Sequence, residues 1–107
     1  MTIDSVIHFF CTHKGITKEE LIGKTRRADI WLTQNMVWHY LHYNLGMSAT
    51  QLSKKFNRNR PSIFRGIRVL KQHIKFHKHI KDEYESLIKK MEESEAPSTN
   101  DMERIEN

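Results

Sequence analysis

The passage Arg58-Asn59-Arg60-Pro61-Ser62-Ile63-Phe64-Arg65-Gly66-Ile67-Arg68 holds four arginines and not one carboxylate. A guanidinium is always charged and offers its N–H donors as a planar fork, which grips a phosphate or a guanine edge bidentately. The passage lies within a longer acid-free run. From Ile30 through Lys81 there are fifty-two residues, ten of them lysine or arginine, and no aspartate or glutamate. Solvated charged helices ordinarily mix both signs and gain i,i+4 pairing. With the negative partners missing, the run has the footprint of a surface that meets polyphosphate.

Other groupings support less chemistry. His73 and His77 have the i,i+4 spacing of a helical metal pair and His79 is near, but no third ligand at suitable spacing follows. No metal site is expected there, only a surface that gains positive charge as pH falls. Cys11 and His13 are neighbours without the base that an activated thiol needs. The acid-free region cannot supply paired carboxylates, and no Gly-rich Lys-Ser/Thr loop is present to bind nucleotide. The reading is therefore no enzyme, no cofactor and no nucleotide. Trp31, Trp38, Tyr40 and Tyr43 crowd one stretch, where aromatics at helical spacing more often form core than a base-stacking platform.

The elements that must hold the arginines are helical throughout. Ile3, Val6, Ile7 and Phe10 share one helix face, and Gly15 stops it. Thr17-Lys18-Glu19-Glu20 opens a short helix as a capping box, followed by the basic connector Gly23-Lys24-Thr25-Arg26-Arg27. A long helix over about 28–45 buries Ile30, Val37, Trp38, Leu41 and Leu45, closed by Gly46. Ser48-Ala49-Thr50-Gln51 is a second capping box, leading through Leu52 to Phe56. Asn57-Arg58-Asn59 turns the chain, with Asn59 or Arg60 at the next cap and Pro61 in the first turn. Ile63, Ile67, Leu70 and Ile74 face the core, and a last helix over about 77–91 buries Ile80, Tyr84, Leu87 and Ile88.

At 107 residues this amounts to one compact all-α domain, expected over 1–91. Residues 1–91 carry a net charge of +10, whereas residues 92–107 carry −5 and few large apolar groups. That acidic tail is expected to be disordered. A lone cysteine excludes an internal disulfide and fits a reducing cytoplasm, and nothing resembles a signal peptide or a membrane span. The expected location is cytoplasmic and nucleoid-associated.

Two short helices joined by a tight turn, the second opening with polar and basic residues, form a helix-turn-helix. The order of the whole chain adds a resemblance. Ile3-x-x-Val6, Phe9-Phe10, Ile16-Thr17-x-x-x-Leu21-Ile22, Lys24-x-Arg26-Arg27 and Tyr40-Leu41 lead into Met47-Ser48-Ala49-Thr50-Gln51-Leu52-Ser53-Lys54-Lys55-Phe56. The chain closes with Ile80-Lys81-Asp82-Glu83-Tyr84-x-x-Leu87-Ile88. Through these residues, over about 1–91, it resembles the C-terminal DNA-binding domain of the bacterial replication initiator DnaA, without that family's ATPase domain. The resemblance implies a TrpR/DnaA-C-like helix-turn-helix fold. At the reading head the family signature Gly-x-Arg-Asp-His-Thr-Thr-Val is rewritten. Arg58 and Ser62 keep an arginine and a hydroxyl, whereas Asn59, Arg60 and Pro61 replace acid, histidine and threonine, and a glycine is deleted before the motif. Where the family's long helix reaches the minor groove with a basic residue, this chain has Thr33-Gln34, so that contact would fall to Arg26 and Arg27.

The expected partner is double-stranded DNA. Arg26, Arg27, Lys54 and Lys55 would hold phosphates, Ser48 would open the first helix of the motif and contact DNA there, and Arg58, Asn59, Arg60, Ser62 and Arg65 would read bases. Arg68 is a further contact, to phosphate or to water. Gly66 admits two roles, close approach to DNA or close helix packing. The expected role is a transcriptional or replication-accessory regulator, including one of a mobile element. The competing readings are a protein-interaction adaptor docking an acidic partner and an RNA-binding module.

Overall fold

Three helices of the computed structural model, which describes residues 2–95, begin where a hydroxyl satisfies a free backbone amide. Thr2, Thr17 and Ser48 each accept from the N–H three residues on, and Ser5, Glu20 and Gln51 accept from the cap N–H in return. These boxes open α1 (Ile3–Lys14), α2 (Lys18–Ile22) and α4 (Ala49–Phe56). Asn59 caps α5 (Arg60–Phe76), its Oδ1 accepting from the Ser62 N–H at 2.9 Å. With α3 (Ala28–Asn44) and α6 (Lys78–Glu95), the described residues are all helix and connection, with no strand.

α3 is the spine. Every residue from Thr33 through Trp38 is buried, because α1, α2, α4 and α5 all pack against this helix. A helix enclosed on all sides needs no amphipathic stripe. Periodicity therefore identifies only part of its buried set, and Thr33, Gln34, Asn35, Met36 and Tyr40 join it. Two of these side chains place their donors on backbone carbonyls, whereas Gln34 Oε1 and both polar atoms of Asn35 are enclosed with no hydrogen-bond partner among the described residues. Thr33 Oγ1 donates to Asp29 O at 3.0 Å, and Gln34 Nε2 donates to Leu21 O at 2.8 Å and Gly23 O at 2.7 Å. Gln34 thereby holds the end of α2 and fixes where the basic connector begins.

α5 lies on α3 through Ile63, Ile67, Leu70 and Gly66, all buried. A Cβ on Gly66 would lie 2.5 Å from Asn35 Oδ1 and 2.6 Å from Trp38 Cε3 and Cζ3. Of the two roles open to this glycine, the structure selects helix packing. After the single residue His77 the chain turns into α6, which buries Ile80, Tyr84, Leu87 and Met91. Lys14 of α1 pairs with Glu83. The Tyr40 hydroxyl donates to the Glu92 carboxylate at 3.1 Å. Residues 92–95, expected to start the disordered tail, thus continue α6, while 96–107 lie outside the described residues. Among the described residues no helix is long and apolar enough to cross a membrane.

Candidate nucleic-acid interface

The turn between α4 and α5 is built around Ser53. Its carbonyl accepts from the N–H groups of Asn57 and Arg58, and its hydroxyl donates to Arg58 O. Asn57 can close the helix because it adopts the left-handed conformation, φ 52° and ψ 47°, which asparagine tolerates better than most residues. It takes up the conformation that a glycine would supply, which accounts for a turn that works without one.

From this turn α5 emerges with a basic outer face. Arg60, Arg65, Arg68, Lys71 and Lys75 are all exposed, and the first turn carries no acid. The ion pairs among the described residues join Lys14 to Glu83, Arg27 to Asp29 and Glu20, Lys55 to Asp4, and Lys78 to Asp82. None uses a cation of α5. Lys71 Nζ lies 4.6 Å from the Tyr43 ring centre and Lys75 Nζ 5.4 Å from that of Phe76, so both rest on aromatic faces. At 3.6 residues per turn, Arg60, Phe64, Arg68, Lys71 and Lys75 form one ridge about 22 Å long. Arg65 flanks it, roughly 100° round the helix.

The remaining expected contacts separate into two groups. Arg26 is exposed, and with Lys24, Thr25 and Arg58 it lines an open cleft of about 420 Å³ between the connector and the turn. Lys54 is exposed beside the turn. Arg27 is engaged elsewhere. Its guanidinium binds Asp29 through Nε at 3.3 Å and Nη2 at 2.8 Å, and it lies 3.6 Å from Glu20. That hydrogen bond holds the Asp29 carboxyl below its ordinary range. Lys55 turns toward α1 and meets Asp4 Oδ1 at 3.1 Å, lowering the pKa of Asp4. Thr33 and Gln34 are buried, so the early part of α3 offers no arm to a minor groove at those positions.

Arg58 also departs from a base-reading position. Its guanidinium carbon stacks 5.4 Å from the Trp38 ring centre, and its Nη1 is enclosed with no hydrogen-bond partner among the described residues. Only its outer edge faces the cleft. Ser48 and Asn59 spend their side-chain oxygens on caps, and Ser62 supplies the amide that Asn59 binds. These three shape the motif first. Arg60 and Arg65 are exposed and form no ion pair among the described residues.

No family model matches the chain. Among curated proteins, the chromosomal replication initiator protein DnaA of Oleidesulfovibrio alaskensis is 25% identical over 67 residues, 63% of this chain. The DnaA of Leptospira biflexa is 26% identical over 72 residues, 67% of this chain. The chain is similar to DnaA. The matched stretch makes up 14% of the first relative and 16% of the second, so the chain spans a small part of either. The all-helical fold agrees with a DnaA-like DNA-binding domain, and the rewritten DnaA signature falls at the start of α5.

Two features of the site are not singled out residue by residue in the sequence pattern. Phe64 is 53% exposed on the basic ridge. Its signal is present, one turn from Arg60 and one from Arg68 on a face that ought to be polar. Lys24 and Thr25 join Arg26 and Arg58 only because Gln34 fixes the connector, which no local pattern announces.

Proposed function

We propose that this chain binds double-stranded DNA through its helix-turn-helix, with α5 in the major groove and the cleft of Lys24, Arg26 and Arg58 on the flanking phosphates. The observation that carries this reading is the outer face of α5, five cations with no carboxylate partner among the described residues, in a protein that pairs Arg27, Lys55 and Lys78 elsewhere. The α5 N-terminus adds partial positive charge and free amide donors. Similarity to DnaA, a replication initiator by name, supports the same reading. Because Asn59-Arg60-Pro61 replaces the residues of the family signature, the preferred sequence differs from an initiator's usual box. The biological role is regulatory, in transcription or as an accessory to replication, of a mobile element among others, and the protein acts in the cytoplasm at the nucleoid without catalysing a reaction.

The test is a titration of duplex DNA, single-stranded DNA and structured RNA at several salt concentrations. Duplex preference is expected, with affinity falling steeply as salt rises. Arg60→Ala combined with Arg65→Ala should abolish sequence preference. The reading fails if no duplex affinity appears at low salt, or if the double variant binds as the native chain does. Preference for RNA or for an acidic protein would install one of the competing functions.

A further inference from the structure

Phe64 is a large apolar side chain on the one ridge of α5 that otherwise carries only cations. It is 53% exposed, whereas its neighbours Ile63 and Ile67 are fully or nearly buried. Among the described residues Phe64 forms no ring contact or cation–π contact, although Lys71 and Lys75 on the same ridge both rest on aromatic rings. Arg60 and Arg68 stand one turn before and one turn after it, each about 6 Å away along the axis. Those two forks would bracket whatever Phe64 meets.

A helix entering a major groove presents its N-terminal turns to the base edges. Phe64 lies in the second turn of α5. The edges offer donors and acceptors, which a phenyl ring cannot use, and one apolar group, the 5-methyl of thymine. We propose, resting on the duplex-binding reading above, that Phe64 is a specificity-determining residue that selects a thymine by covering its 5-methyl group. Water leaves both apolar surfaces on contact, and that gain is absent at the other three bases, which have no methyl there. Arg60 and Arg68 hold the flanking phosphates or guanine edges and so set the ring's depth in the groove.

The experiment uses the full chain and the duplex that it enriches from a random pool. Each thymine of that duplex is replaced singly by deoxyuridine, which removes only the methyl. Native protein should lose about three- to ten-fold in affinity at one thymine, the worth of about one buried methyl group. Phe64→Ala should bind the parent duplex more weakly by a similar factor and be indifferent to deoxyuridine at that same position. Phe64→Leu should keep part of the sensitivity. Since the side chain is exposed, these variants retain the native helical circular dichroism. Undiminished methyl sensitivity in Phe64→Ala overturns the proposal, as does its absence from the native protein, while duplex binding itself still stands. A variant that changes self-association in sedimentation, with duplex binding unaltered, also overturns it and makes Phe64 a contact between copies. Failure to enrich any duplex sinks the underlying function instead.

Discussion

The guanidinium carbon of Arg58 lies 5.4 Å from the centre of the Trp38 ring, and its Nη1 is closed off from solvent. The arginine that the DnaA signature preserves is thus partly a structural post between the turn and the spine helix. Arg60, two residues later, is exposed.

The two arginines should respond differently to removal. Arg58→Ala is expected to lower stability by about 1 kcal/mol, the size of a partly desolvated cation–π contact. Arg60→Ala should leave the urea midpoint unchanged and weaken duplex binding. Equilibrium unfolding and duplex titration on both variants measure this. Equal stability losses would mean that the Trp38 contact contributes nothing.

Gly66→Ala tests how tightly α5 closes on α3. Alanine favours a helix over glycine by about 1 kcal/mol, yet its Cβ would fall inside contact distance of Asn35 and Trp38. Overpacking of that kind costs roughly 1–3 kcal/mol, so a net loss of stability is expected. Differential scanning calorimetry should show a lower Tm. A higher Tm would show that the Trp38 ring moves aside freely.

The basic connector provides an internal comparison. Arg26→Ala and Lys24→Ala should each make the slope of log affinity against log salt shallower, by about 0.9 for every phosphate left without its cation. Arg27→Ala should leave that slope alone, since its guanidinium is occupied by Asp29 and Glu20. A slope that changes for Arg27 and not for Arg26 would reverse their assignments.

His39 makes the fold sensitive to acid. Its Nδ1 lies 2.7 Å from the Tyr84 hydroxyl. Burial, then the charges of Lys71 and His42, lower its pKa from 6.5 to about 4. Burial also keeps the Tyr84 hydroxyl protonated by raising its pKa. As pH falls from 6.5 toward 4 the unfolded chain takes up a proton at His39 that the folded chain refuses, so stability declines across that window. The effect is on the order of 1 kcal/mol, because the ring is partly open to solvent. Urea midpoints at pH 7.5, 5.5 and 4 should fall less steeply for His39→Gln than for the native chain. Parallel curves would remove His39 from the account.

Elements announced by local chemistry were legible in the sequence. Thr17, Ser48 and Asn59 marked helix starts because a cap is a contact within four residues. Ile63, Ile67 and Leu70 declared a buried face because α5 is buried on one side only. Thr33, Gln34 and Asn35 gave no such sign, since their burial follows from the helices packed round α3, and only Gln34 draws on carbonyls at the end of α2. The same reason hid the engagement of Lys55, whose side chain is claimed by Asp4 of α1 across the fold, whereas Arg27 meets Asp29 only two residues on and Glu20 from α2. Basic composition says how much charge is present. Only packing says which cations are free.

Gly66 and its neighbours have one last consequence, for protein engineering. The residues that fasten α5 to the spine, Ile63, Gly66, Ile67 and Leu70, interleave with the outward-facing Arg60, Phe64, Arg65 and Arg68 along one helix. The outward set is a removable cartridge. Libraries randomised at those four positions should fold as the parent does, which makes this small domain a chassis for reprogrammed readers of DNA.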